Sequence, residues 1–232
     1  ANKIGSECFR LWKACDAQVG DDFHINPEEI ESKYFGVLTK MFNIARLASQ
    51  FEVPKTLDLS PKDLAFEDLW ILSEFDKMMN SVKSSWERMD IYNATQSIKA
   101  FSTGMFPGHW LEMSKSRLYD GDISATWTLH RIVRDVLTAF SPVCPFFTDY
   151  LSTTLYEQSA VDIRKFPTLV VTDNVDVTPY LSITDDLIDF NSRIWKLKKD
   201  QGVSLKSEIS DIEVPASLVN LKTSLTIMHS IT

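Results

Sequence analysis

Residues 60–89 read SPKDLAFEDLWILSEFDKMMNSVKSSWERM, and their spacing decides the fold class. Phe75, Met78, Val82, Trp86 and Met89 recur at steps of three or four, which places them on one side of an α-helix as a continuous apolar stripe. Ser60, Pro61 and Asp63 predict the start: a side-chain cap, a proline whose missing N–H costs nothing in the first turn, and an acid near the positive end of the helix dipole. The same grammar occurs upstream in INPEEIESKYFGVLTKMFNIARLASQF, residues 25–51, as Asn26, Pro27 and Glu29. Prolines in EVPKTLDLSP then predict that this earlier helix stops near Phe51 and the chain turns.

Downstream the helical pattern continues. NATQSIKAF (93–101) meets Gly104, Pro107 and Gly108, which predict a kink or break before WLEMSKSRLY (110–119) resumes. YDGD (119–122) is a turn, Ile132, Val133, Val136, Leu137 and Phe140 form another core face, and Pro142 and Pro145 lead into PFFTDYLSTTLYEQ. Long amphipathic segments joined by short loops predict a mainly α protein, an antiparallel helix bundle over residues 1–167. After Pro167 the character changes: TLVVTDNVDVTPYL is a linker or β-rich, ITDDLIDFNSRIWKLKKD a helix stopped by Gly202, SEISDIEVP a short strand, and ASLVNLKTSLTIM a last helix. Residues 168–232 are therefore expected to form a small α/β extension.

Composition narrows the function classes. With 44% hydrophobic and 11% aromatic residues the chain can bury a sizeable core. It has no apolar run long enough to cross a membrane, and ANKIGSECFRLWK places a Glu and an Arg where a signal peptide needs apolar residues, so a cytoplasmic protein is expected. Cys8, Cys15 and Cys144 lack CxxC spacing and predict reduced, partly buried thiols. His24, His109, His130 and His229 are scattered, so no metal ligand set emerges, and neither GxxxxGK[ST] nor GxGxxG occurs. Paired acids such as Glu28–Glu29 and Asp185–Asp186 sit at helix starts. No catalytic residue is assigned. A formal net charge of −8 argues against a free-standing nucleic-acid binder and requires any such contact to be a local patch.

EMSKS at 112–116 is one letter from KMSKS, the ATP-handling loop of class I aminoacyl-tRNA synthetases, but Glu112 reverses the first charge and the stretch lies inside an amphipathic helix. The partner signature HIGH is absent. Its surroundings carry a different resemblance. HWLEMSKSRLYDGD resembles the [YW]-x-E-x-x-K-x-R-L-Y element of the anticodon-binding bundle of valyl-, isoleucyl- and leucyl-tRNA synthetases. GSECFRLW (5–12), GDD (20–22), KMFNIAR (40–46), DLWILSEFD (68–76) and AFSPVCPFFTDYL (139–151) are similar to other landmarks of that family, in its order, with a weaker likeness at RIWKLKKDQGVSL (193–205). The short GDD turn, the plain KMFNIAR element and the last segment lean toward the valyl enzyme of archaeal type, with the isoleucyl or leucyl enzyme as the alternative. The resemblance implies the C-terminal portion of a longer, monomeric ligase that attaches valine to its tRNA, using ATP and Mg in a catalytic module outside this chain. A helical protein-interaction domain with an acidic surface is the rival from another class.

The tRNA-binding candidates follow. At about 100° per residue, Lys33, Gly36, Lys40, Asn43 and Leu47 fall in one arc of roughly 80° beside a core stripe of Tyr34, Leu38, Met41, Ala45 and Ala48. Anticodon bases are read by splaying, stacking and edge hydrogen bonds, which such an arc can supply; a solvated edge with Asn43 packed between helices is the plain alternative. The resemblance puts Lys40 at the anticodon-binding face and implies a stacking aromatic at Leu47, from which Leu47 departs. Arg46, Lys115 and Arg117 match family positions, and an ion pair accounts equally well for Glu112 with Lys115. Lys198 and Lys199 belong to the densest basic cluster, with Arg193, Lys196 and Lys206, and are candidates for phosphate contacts or simply a solvated helix face.

Overall fold

The computed structural model describes residues 4–16, 20, 22, 25–54, 59–157, 166–171 and 175–232. The helices are α1 (Ser6–Cys15), α2 (Pro27–Ala48), α3 (Phe66–Glu87), α4 (Ile91–Ala100), α5 (Glu112–Tyr119), α6 (Ile123–Phe140), α7 (Pro145–Tyr156), α8 (Thr178–Leu181), α9 (Thr184–Asp200) and α10 (Lys222–His229). Together they form the expected helix bundle. In α2, Asn26 caps by accepting the Glu28 N–H at 3.2 Å. Its inward stripe of Tyr34, Leu38, Met41, Ala45 and Ala48 is buried.

Helix α3 runs through the middle. Trp70, Ile71, Leu72, Phe75, Met79 and Val82 are buried, each contributing about 1.5–3 kcal/mol of transfer free energy. The sequence-based start was five residues early: Pro61–Asp63 form a separate 3₁₀ turn, and α3 begins at Phe66 without a side-chain cap. The expected stripe also ends sooner. Trp86 is half-buried, while Met89 lies beyond the helix at φ 58° and is 78% exposed.

No break occurs at Pro107. Residues 91–119 form one continuous helical run, and its middle, Phe101–Leu111, is hydrogen-bonded as a π-helix. Proline cannot donate to the carbonyl one turn back, and a wider register accommodates its ring. Ser102 and Thr103 hydroxyls donate to the Ile98 and Lys99 carbonyls at 2.7 and 2.8 Å. Phe101, Phe106 and Trp110 stack along the inner side, with centroids 6.0 and 5.3 Å apart.

Residues 168–232 are more helical than the sequence indicates. TPYL is a helical turn, and the strand expected over 207–215 is reduced, among the described residues, to one parallel bridge between Ile209 and Ile231. Gly202, at φ 69°, ends α9 as expected. Ala216–Leu221 is 3₁₀ and leads into α10. Ile183, Leu187, Phe190, Leu218, Leu221 and Leu225 join the same apolar cluster as the bundle helices.

Candidate nucleic-acid interface

The buried acids of α3 account for several of the motif residues. Asp68 accepts from Trp110 Nε1 (2.9 Å), from both terminal nitrogens of Arg117 (3.1 and 2.7 Å) and from Ser124 Oγ (2.6 Å). Burial pushes the Asp68 carboxyl up, and Arg117 and Ser124 pull it back. Arg117 also pairs with Glu67 (3.2 Å) and Asp122 (3.0 Å), and its side chain is only 17% exposed. Asp76 accepts the N–H groups of Val170 and Val171, and Glu74 and Trp70 share the Thr184 hydroxyl. These contacts tie α3 to α5, α6, α9 and the 170–171 segment. Arg117 is a structural hub, with its donors already spent.

EMSKS is helical, as expected. Lys115 pairs with Glu112 across one turn at 2.5 Å, both about half-exposed, and Ser114 is buried.

On α2 the proposed arc reaches solvent. Lys33, Gly36, Lys40 and Asn43 are exposed and Leu47 is half-buried against the core. Asn43 is not packed between helices. Lys33 is engaged with Asp16 at 2.9 Å and lies 5.1 Å from the centroid of the Tyr34 ring, over which Lys99 of α4 also sits at 5.9 Å. Lys40 and Arg46 have no ion pair among the described residues, and Arg46 is exposed on the outward face, away from the Lys33–Lys40 arc.

Two features escaped the sequence reading. Phe35 and Phe42, two turns apart on α2, are 63% and 41% exposed, with Arg46 one turn beyond Phe42. In addition, no Asp or Glu occurs in residues 32–51, or again in residues 91–111, although the chain carries 32 acids. The two stretches pack together: Met41, Ile44 and Ala45 share a small internal crevice with Ser102 and Phe106. They contribute Lys33, Lys40, Arg46 and Lys99 and no carboxylate of their own to an acidic molecule, although Asp16 beside them pairs with Lys33 and Arg46 faces away from Lys40. The absence of acids was legible in the sequence; that the two stretches are neighbours was not.

Lys198 was misassigned as a phosphate ligand. It is fully buried, and its ammonium donates to the carbonyls of Leu205 (2.8 Å), Ser207 (2.8 Å) and His229 (2.6 Å). Burial lowers its pKa. Lys199 and Lys206 are exposed and have no ion pair among the described residues. The GDD turn lies partly, and His24 wholly, outside the described residues. No group of three or more metal-ligating side chains occurs among the described residues, and no described helix is long and apolar enough to cross a membrane.

Comparison with known proteins places this architecture. The chain is 30% identical over 229 residues to valine–tRNA ligase of Nanoarchaeum equitans, an alignment covering 99% of this chain and 29% of that protein. It is 27% identical over 238 residues to valine–tRNA ligase of Aeropyrum pernix, covering 98% and 28%, and 31% identical over 157 residues to that of Methanocaldococcus jannaschii, covering 65% and 18%. The chain thus spans less than a third of the length of these relatives. Residues 68–214, from the buried acid of α3 to the segment before the last helices, match the family described as the anticodon-binding domain of tRNA ligase, and the chain belongs to that family.

Proposed function

We propose that this chain is the anticodon-arm-recognising part of a valine–tRNA ligase. The supporting observation is that α2, within a run of residues 32–51 that contains no acid, exposes Lys40 and Arg46 without an ion pair among the described residues, and exposes Asn43, on a molecule of net charge −8. Cations there hold the phosphate backbone, Asn43 offers both donor and acceptor to a base edge, and Phe35 and Phe42 offer planar faces. In this reading residues 1–167 carry recognition and 168–232 are the extension. Formation of valyl-adenylate from valine and ATP with Mg, and transfer to tRNA, belong to a catalytic module elsewhere in a monomeric cytoplasmic ligase. Nothing in this chain is assigned to those steps.

Arg117 and Lys198 leave the list of tRNA ligands because their donors are used internally. Lys115 is kept only as a weak candidate, since Glu112 already neutralises it. Lys33 is likewise partly neutralised by Asp16, which leaves Lys40 as the strongest single contact.

The test is charging by the full-length ligase carrying this chain, with valine, isoleucine and leucine transcripts and with anticodon substitutions in each. Charging of the valine transcript that collapses when its anticodon changes supports the reading. Charging indifferent to the anticodon overturns it. Transcript preference for isoleucine or leucine keeps the recognition role and replaces valine. Lys40→Ala should weaken tRNA binding by about 1 kcal/mol or more, comparable to losing one charge-assisted contact; unchanged binding removes Lys40 from the site.

A further inference from the structure

Lys198 is a buried cation with no carboxylate partner among its described contacts, an arrangement that a fold tolerates only when hydrogen bonds replace water. Its three acceptors come from two places, the 205–207 loop and the end of α10. The network continues. His229 Nε2 lies 2.7 Å from Asn191 Oδ1, and Asn191 Nδ2 lies 2.9 Å from His109 Nδ1 in the π-helical segment. Within the loop, Val203 N–H donates to the Lys198 carbonyl at 3.0 Å, Ser207 N–H to the Ser204 carbonyl at 2.9 Å, and Ser230 Oγ to the Lys206 carbonyl at 3.4 Å. The inner side of the 202–207 loop is therefore pinned to α9, α10 and, through Asn191, the bundle.

Its outer side is open. Val203 and Leu205 are 40% and 54% exposed, and in the same stretch Lys199 and Lys206 are exposed, as are the flanking Asp200 and Glu208. A loop held this firmly loses little conformational entropy on binding. Aliphatic side chains between cations fit a sugar–phosphate backbone, where the cations meet phosphates and the aliphatic groups cover ribose or a base face.

We propose that the 202–207 loop is a second contact with tRNA backbone, separate from α2, and that Lys198 is the positioning residue that shapes it. The proposal rests on the tRNA-recognition reading above, and the experiment separates the two. Photo-crosslinking p-benzoylphenylalanine is introduced in place of Leu205, in place of Asn43 on α2, and in place of exposed Asn80 on α3 as control, each in the full-length ligase with a valine tRNA transcript. Crosslinks at 205 and 43 but not 80 are expected. A crosslink at 43 alone overturns the loop contact and leaves the recognition reading standing; crosslinks at neither overturn both. A crosslink at 80 equal to that at 205 marks non-specific attachment and also overturns the loop contact. Lys199→Glu with Lys206→Glu should reduce the slope of log affinity against log salt by about 2, whereas an unchanged slope counts against the contact. Lys198→Met should reduce the 205 crosslink while sparing that at 43; a 205 crosslink as strong as before removes Lys198 from the positioning role. Where Lys198→Met does not fold, the 205 crosslink in the otherwise unaltered protein decides the contact.

Discussion

At the scale of single residues, charge alone did not distinguish a ligand from a brace. Lys40, Arg117 and Lys198 are all cations in segments that match one family, yet only Lys40 keeps its charge facing water and unpaired. Arg117 neutralises Glu67 and Asp68 in a nearly dry site, so Arg117→Ala leaves buried carboxylates without a counter-charge and should cost about 3–5 kcal/mol in urea unfolding. Lys115→Ala breaks a half-exposed pair one turn away and should cost under about 0.5 kcal/mol. A similar loss for the two variants would show that the Arg117 cluster is not the anchor described. The pattern R-L-Y in α5 announced an important arginine; the identity of its acidic partners, on α3 and before α6, depended on chain crossings that local spacing does not encode.

At the scale of elements, most starts and stops were written locally. Asn26 with Pro27 and Gly202 after α9 act through their own backbone neighbours, and the structure places both where their chemistry predicts, while Asp122, the last residue of the YDGD turn, also caps α6 by accepting the Ala125 N–H. Gly202 has φ 69° with open space around a prospective Cβ, so Gly202→Ala should carry only the left-handed conformational cost, about 1 kcal/mol, and Gly202→Asn less. Equal stability of all three proteins by urea unfolding would refute that assignment. The failures have a common cause. Pro107 predicts a break when only helix or non-helix is considered, but neighbouring helices supply enough packing through Phe101, Phe106 and Trp110 to keep the run helical in a π register. SEISDIEVP alternates like a strand, yet among the described residues it forms only one parallel bridge, in which Ile209 N–H donates to the Ser230 carbonyl and Thr232 N–H donates to the Ile209 carbonyl.

For the whole molecule, buried and half-buried histidines couple folding to pH. His109, His130 and His229 all have pKa values lowered by burial, His229 to about 4 from the ordinary 6.5, helped by Lys198 and His109. The unfolded chain therefore binds these protons more readily than the folded one. Their stabilising contribution is complete above about pH 6.5 and is lost as pH falls toward about 4, with His229 alone accounting for about 3 kcal/mol across that window. The urea midpoint should fall between pH 7.5 and pH 5, and His229→Gln should flatten that dependence. A midpoint as pH-sensitive in His229→Gln as in the parent would show that His229 is not the coupled group.

The sequence by itself determined the helical class, the inward stripes of α2 and α6 and many of the caps, because these depend on periodicity and on neighbours within a turn. It also carried the family likeness and the acid-free runs at 32–51 and 91–111. Only the tertiary structure decided that those two runs lie side by side, that Arg117 is consumed by Asp68, and that Lys198 faces three carbonyls. The physical reason is that a side chain's charge is a local property, whereas its availability depends on which distant groups the fold brings within hydrogen-bonding distance.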